Sequence, residues 1–298
     1  ILLNADNNQL RLFEAKRNAT RNPQTNVEGK WQLSDAASAR EFSAVAFMYG
    51  LKLQQKLKVP VGIIVSCWGG TRIQSWMDSS MLATFPDVQQ ISKLDTAKEK
   101  HKLSTALYNG MIAPFAGYGI KGFLWYQGES NRHEPDRYSA LFQSMIAGWR
   151  KNWHAGDSLP FYYVQIAPYG NKDSTRSVRG VREAQMNSMK LIPNCGMAIL
   201  TDIGDETFIH PADKETVSNR LLYWALAKTY GYKGIAFEGP IYKSIQVKAN
   251  KAQISFEYAD NGLTSFGNEL KQFEIAGSDK IFYPANAKIE DDKTITVW

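Results

Sequence analysis

VGIIVSCWGGTRIQSW, residues 61–76, sets a continuous apolar run of strand length directly before a glycine pair. A strand without polar alternation is one covered on both faces, the usual condition of a parallel strand flanked by helices. Cys67-Trp68-Gly69-Gly70-Thr71-Arg72 then falls at the carboxyl edge of a sheet, where open α/β folds collect their ligands.

Upstream of this stretch the period is helical. Phe42, Val45, Ala46, Tyr49, Leu53 and Leu57 recur at steps of three and four. Ser34 as cap and Pro60 as stop then predict one helix running from Ser34 through Leu57. Residues 1–33 read as a strand at Leu10 to Phe13 and a long loop ending at Trp31.

Downstream the alternation repeats. A helical stretch near residues 97–108 leads to IKGFLWYQGES (120–130), a second apolar run, this one ending in Gln-Gly-Glu. The helix after it sets Tyr138, Leu141, Phe142, Met145, Ile146 and Trp149 on one side. LPFYYVQIAPYG (159–170) is a strand, VRGVREAQMNSMK (178–190) a helix and NCGMAILTDIGD (194–205) a strand. HPADKETVSNRLLYWALAKTYG (210–231) supplies an amphipathic helix with Val217, Leu221, Leu222, Ala225 and Leu226 inward and Gly231 as terminator. Strands alternating with helices predict a three-layer α/β/α domain on a parallel sheet, spanning residues 1–232. From residue 233 the period drops to two, between turn signals such as Asp260-Asn261-Gly262 and Asp291-Asp292. Residues 233–298 therefore read as an accessory antiparallel β segment, whose final strand is expected to lack a partner.

Composition narrows the function classes. The 298 residues are 44% apolar and 21% charged, enough to bury a core and too apolar for disorder. No run of 18 apolar residues occurs, which excludes an apolar membrane-spanning helix. The 35 basic and 29 acidic residues give +6, but the basic ones are scattered, so no nucleic-acid partner is expected. Cys67 and Cys195, with only His101, His133, His154 and His210, show neither CxxC nor HExxH spacing, so no metal is expected. The two cysteines fit buried thiols as well as one bridge. The opening, ILLNADNNQLRLFEAKR, lacks the charged, apolar and small-residue succession of a secretory leader.

Three sheet edges carry polar or glycine residues where a core would place none: 67–72, 125–131, and 202–205 leading to Ile209-His210-Pro211. Gly69 and Gly70 leave backbone N–H groups bare, which suits an oxyanion, though a tight turn has the same spelling. Gln127 offers an amide donor for the same oxyanion, and Glu129 a carboxylate able to orient an imidazole. His210, held beside Pro211, is the candidate base. Base, acid and oxyanion donors on separate strand ends are what acyl transfer requires. A nucleophile is the missing part. Ser66 lies inside an apolar run, Ser130 lacks the sharp Gly-x-Ser-x-Gly turn, and Ser75, Ser79 and Ser80 carry no local signature.

These blocks resemble the sialate O-acetylesterase family of carbohydrate esterases, whose fold is SGNH-hydrolase-like. The likeness rests on Phe42-Ser43-Ala44-Val45-Ala46, on Val59-Pro60-Val61-Gly62 leading to Trp68-Gly69-Gly70-Thr71 and Trp76, and on Trp125-Tyr126-Gln127-Gly128-Glu129-Ser130-Asn131. Ile209-His210-Pro211 with Lys214 and Arg220, and the 256–263 and 273–277 blocks, extend it over nearly the whole chain.

The resemblance implies a serine hydrolase that removes acetyl groups from O-acetylated sialic acid without a cofactor. It implies a serine in a Gly-Gln-Ser-Asn motif upstream of the region matching Ile1, and no such motif occurs in this sequence. His210 matches the base, Glu129 the orienting acid of the related acetylxylan esterases, and Gly69 or Gly70 with Gln127 the oxyanion donors. The usual pattern sets an Asp three residues before the histidine; Thr207 stands there, which favours Glu129 and leaves Asp205 as the fallback. Arg72 is a candidate for a sialic acid carboxylate, and Trp68 and Trp76 for stacking on a pyranose, with an ion pair and a core position as the plain alternatives. An acetylxylan-type esterase and a carbohydrate-binding fragment without a nucleophile stay open beside the sialate esterase. Family habit implies a secreted or periplasmic protein, and the residues leave its oligomeric state open.

Overall fold

The computed structural model describes residues 2–85, 97–170, 175–205 and 207–298. The chain divides into two compact units, Ile1–Ile235 and Ala236–Trp298.

In the first unit, β1 (Asn7–Glu14) pairs antiparallel with β2 (Trp31–Ser34) and parallel with β3 (Val61–Val65). β4 (Phe123–Tyr126), β5 (Phe161–Val164) and β6 (Cys195–Ala198) form a second, wholly parallel sheet, with Phe123 opposite Phe161 and Phe161 opposite Cys195. The α/β alternation is as expected, and its strands fall into two three-stranded sheets. Central β5 is buried at every residue, whereas β3 and β4 are edges, where only Val65 and Trp125 are buried and Gly62 and Leu124 are exposed.

The helix expected from Ser34 to Leu57 is two. Asp35 caps α1 (Ala36–Glu41): its carboxylate accepts from the Ser38 N–H at 2.7 Å, and the Ser38 hydroxyl accepts from the Asp35 N–H at 3.0 Å. Phe42 is then extended, and Ser43 caps α2 (Ala44–Leu57), which ends at left-handed Lys58 ahead of Pro60. Two caps inside a continuous apolar period, the first reciprocal and the second a single bond from the Ala46 N–H to Ser43 Oγ, break the rod, because a capped N–H no longer needs a carbonyl one turn back. Phe47, Met48 and Leu51 of α2 pack on Leu10 and Leu12 of β1 and Val65 of β3.

α3 (Pro135–Asn152) and α4 (Thr175–Leu191) cover the second sheet. Tyr138, Leu141, Phe142, Met145, Ile146 and Trp149 join Phe161, Tyr163, Val178 and Val181 in one core, each apolar side chain adding about 2 kcal/mol of burial. α5 (Lys214–Trp224) buries Val217, Leu221 and Leu222, widens through Ala225–Thr229, and stops at Gly231, whose φ is 71°. Lys52 of α2 donates to Glu215 at 2.5 Å and to Asn219 at 2.8 Å on α5. The helical stretch expected near residues 97–108 falls partly on one short 3-10 turn, Lys100–Lys102. Thr105, with φ at 68°, interrupts any longer helix before the wide turn Tyr108–Ile112.

The second unit holds a four-stranded antiparallel sheet, β11-β12-β8-β7, and the hairpin β9 (Phe273–Ala276) with β10 (Phe282–Ala285). The sheet comprises β7 (Ile241–Lys248), β8 (Lys251–Glu257), β11 (Ala287–Glu290) and β12 (Thr294–Val297). Its register aligns Ile245, Ile254, Ile295 and Ile289 in one cross-strand row, as a period of two demands. Asp291 and Asp292 take left-handed backbone in the β11–β12 turn, with φ at 50° and 54°. The final strand was expected to be unpaired; β12 instead lies between β11 and β8, and Trp298 exchanges both backbone bonds with Asn286.

Among the described residues no helix is long and apolar enough to cross a membrane. Both cysteines are free thiols, Cys67 exposed and Cys195 half-buried.

Candidate active site

β4 delivers Gln127, Gly128 and the 3-10 turn Glu129–Asn131 to the sheet edge. Gly128 has no room for a side chain: a Cβ there would lie 2.6 Å from Ile166 and 3.2 Å from both Val181 and Gln185. The backbone thus presses against the β5 and α4 layer and turns sharply just before Glu129. The Tyr138 hydroxyl at 3.1 Å and the Gln185 amide at 3.0 Å donate to the Gln127 carbonyl and fix the turn.

Asn131 is the hub beneath it, completely buried. Its Oδ1 accepts the Ile73 N–H at 2.9 Å and Gln127 Nε2 at 2.7 Å, while its Nδ2 donates to Gln74 at 2.9 Å and Glu134 at 2.8 Å. Gln127 Nε2 also donates to the Thr71 carbonyl at 3.0 Å, tying the β4 edge to the turn after β3. The amide expected to serve an oxyanion thus makes both of its N–H bonds inside the protein. Gly69 and Gly70 remain exposed, with Gly70 at φ 72°, and no described carbonyl accepts either N–H.

The buried hub makes a stability prediction. Asn131→Ala strands Gln127, Gln74 and the Ile73 N–H in a dry network, and a loss of about 2–4 kcal/mol is expected in urea unfolding. A loss below about 1 kcal/mol contradicts this network.

The third edge follows β6. Arg220 of α5 donates to the Ile199 carbonyl at 2.5 Å and pairs with Asp202 through bonds of 2.7 and 2.6 Å. Asp205 accepts from the Thr207 N–H and hydroxyl, both at 2.7 Å, and from the Phe208 N–H at 3.1 Å. Asp213 caps α5 by accepting from Thr216. His210 and buried Pro211 are held between these two capped turns, with the imidazole exposed and edge-on to Phe208 at 5.8 Å.

Glu129 is the carboxylate that this imidazole meets electrostatically. Burial pushes the Glu129 carboxyl above the ordinary range, while backbone hydrogen bonds and the charges of His210 and Lys214 pull it back. Lys214 shows the mirror effect, lowered by burial and held up by Glu129. Asp205 differs in kind: bonds from Thr207 to its Oδ1 hold it below the carboxylate range and shape the loop.

The remaining candidates separate cleanly. Arg72, a third exposed, lies 3.6 Å from Glu134, which Arg137 also approaches at 3.2 Å, so its charge is met inside the protein. Trp68 is half-buried and carries His101 stacked on it, with ring centroids 4.7 Å apart and planes 3° from parallel. The imidazole thus covers a face of Trp68 that a pyranose was expected to use. Trp76 is a core residue whose Nε1 donates to Thr71 Oγ1 at 2.9 Å. The Ser66 hydroxyl is bound to the Met111 carbonyl at 2.8 Å, Ser75 is fully buried, and Ser80 donates to Asp78. Among the described residues no hydroxyl hydrogen-bonds His210, and no cluster of three or more His, Cys, Asp or Glu is arranged to hold a metal.

The Asn131 hub and Glu134 carry no sequence-level expectation. Their one signal is the polar run Gln127 to Glu134 lodged between an apolar strand and an apolar helix, where buried amides must pair with each other.

The profile of the carbohydrate esterases described as sialic acid-specific acetylesterase matches residues 9–221. Human sialate O-acetylesterase is 34% identical over 236 residues, covering 72% of this chain and 45% of that protein. The rat sialate O-acetylesterase is 30% identical over 278 residues, covering 78% and 51%. The chain spans about half the length of these relatives. The crystal structure of a carbohydrate acetylesterase from Xanthomonas citri superposes with a TM-score of 0.87 at 32% identity, covering 98% of this chain and 66% of that one. With an α/β core, two glycine and carboxylate strand edges and a capped histidine loop inside the matched span, the chain belongs to the sialic acid-specific acetylesterase family of carbohydrate esterases.

Proposed function

We propose that this chain supplies the base, the orienting acid and the oxyanion donors of a serine esterase that removes acetyl groups from O-acetylated sialic acid. What supports it is the half-buried Glu129 carboxyl at the end of β4, raised by burial and lowered in turn by the His210 charge, together with a glycine turn whose N–H groups meet no carbonyl among the described residues. The serine is assigned, by family resemblance, to the Gly-Gln-Ser-Asn block preceding this region. β3 and β4, which end in the glycine pair and in Glu129, each keep one unpaired edge. A further parallel strand on such an edge would end at the same rim.

The serine Oγ attacks the acetyl carbonyl carbon and its proton passes to His210. The carbonyl oxygen becomes an oxyanion facing the N–H groups of Gly69 and Gly70, while Glu129 balances the imidazolium. Collapse breaks the bond to the sugar oxygen, which leaves with the His210 proton. Water, deprotonated by His210, then cleaves the acetyl-enzyme and releases acetate.

The test is hydrolysis of an O-acetylated sialic acid, together with labelling by a fluorophosphonate, on the 298 residues and on a polypeptide carrying the upstream block. Activity and a labelled Gly-Gln-Ser-Asn serine are expected only with that block. Equal labelling of a serine within residues 1–298 would sink the assignment. A second reading, deacetylation of a neutral polysaccharide of the xylan type, draws on the Arg72 charge being met by Glu134. Faster turnover of acetylated xylan than of acetylated sialate would select it. By family habit we also place the protein in the secreted or periplasmic fraction, which cell fractionation checks.

A further inference from the structure

Three segments distant in sequence meet beside the glycine turn. Arg17, three residues beyond β1, places its guanidinium carbon 5.8 Å from the centroid of the Trp68 ring, over it. His101, from the Lys100–Lys102 turn, stacks on the same indole at 4.7 Å. Trp68 immediately precedes Gly69 and Gly70, so whatever touches this cluster lies next to the candidate oxyanion donors.

Several charges around the cluster are already met. Glu99 is taken by Lys102 at 2.6 Å, and Glu134 by Arg72 and Arg137. Glu14 and Arg17 both act on the Cys67 thiol, with opposite sign. Among the described residues Arg17 has no carboxylate within ion-pair distance, and it is exposed to solvent. A guanidinium resting on an indole keeps the planar fork of donors free for a carboxylate, and partial desolvation by the ring strengthens the pair.

We propose that Arg17, seated over the Trp68 indole on which His101 also stacks, is the subsite for the carboxylate of an acidic sugar whose acetyl ester reaches the Gly69-Gly70 turn. This rests on the deacetylation reading above and moves the acid-recognising role from Arg72 to Arg17. The carboxylate could belong to a sialic or a uronic acid, and the two share the chemistry that Arg17 reads.

Binding, which needs no nucleophile, tests it on the 298-residue chain. N-acetylneuraminic acid and its methyl ester are titrated by NMR, with glucuronic acid and its methyl ester run beside them to tell the two sources apart. The acid of at least one pair is expected to bind about tenfold or more tightly than its ester. That preference should fall to within about twofold in Arg17→Gln and persist in Arg72→Gln. A preference that survives Arg17→Gln, one lost in Arg72→Gln, or equal or absent binding of acid and ester to the unmodified chain overturns the subsite. The deacetylation reading fails separately, on the hydrolysis and labelling results alone.

Discussion

His210→Ala, made in a polypeptide that includes the Gly-Gln-Ser-Asn block, is expected to lower acetyl-ester turnover by about 10⁴-fold, or about 5.5 kcal/mol of transition-state stabilisation. The loss should fall on kcat, because the imidazole takes and returns a proton without holding the sugar. His210 is exposed, and its loop is held by Asp205 and Asp213 rather than by its own ring, so the substitution leaves the fold in place. An unchanged melting temperature is the control. Turnover within tenfold of the unmodified protein would remove His210 from the role of base.

Glu129→Gln is expected to cost about 10²- to 10⁴-fold in the same assay, and Asp205→Asn less than about threefold. The neutral amide keeps the shape but loses the charge that balances the imidazolium. Asp205 accepts from Thr207 and Phe208 through Oδ1 and so shapes the loop, and its carboxyl is held low by those bonds with no contribution from His210. A large loss at Asp205 with none at Glu129 would exchange the two assignments.

The same variant reads out the energetics of burial. The native carboxyl of Glu129 is raised above its unfolded value of about 4.3, so the folded state binds its proton more tightly. Between the unfolded and native values the native state carries more protons, and stability falls as pH rises. Full ionisation at pH 7 is therefore a cost that Gln does not bear. The melting temperature of Glu129→Gln, relative to the unmodified protein, should be higher at pH 7 than at pH 4. The opposite order would show that the pairing with His210 and Lys214 outweighs desolvation.

Much of the fold was legible because burial writes itself as a period. Every residue expected inward on α3 and α5 is buried, and Arg150, Ser218 and Trp224 are buried besides. The misreadings have local causes. Asp35 and Ser43 spell helix starts inside a longer apolar period, and a cap placed at Ser34 with an unbroken period joins the two helices into one. Thr105 adopts a left-handed backbone that its β-branched side chain gives no reason to expect. β12 was taken as partnerless because partners in an antiparallel sheet need not follow in sequence.

The sequence by itself determined the alternation of strands and helices, the sheet edges that carry polar residues and the residue types capable of acyl transfer. These depend on spacing along the chain, and spacing is what a sequence records. Tertiary structure decided which of those residues are free to act. Gln127 is consumed by Thr71 and Asn131, Arg72 is engaged by Glu134, and Trp68 is stacked by His101. The His210 charge acts on the Glu129 carboxyl across 81 positions of chain. Whether a donor or a charge is already spent depends on neighbours distant in sequence, and those neighbours exist only once the chain has folded.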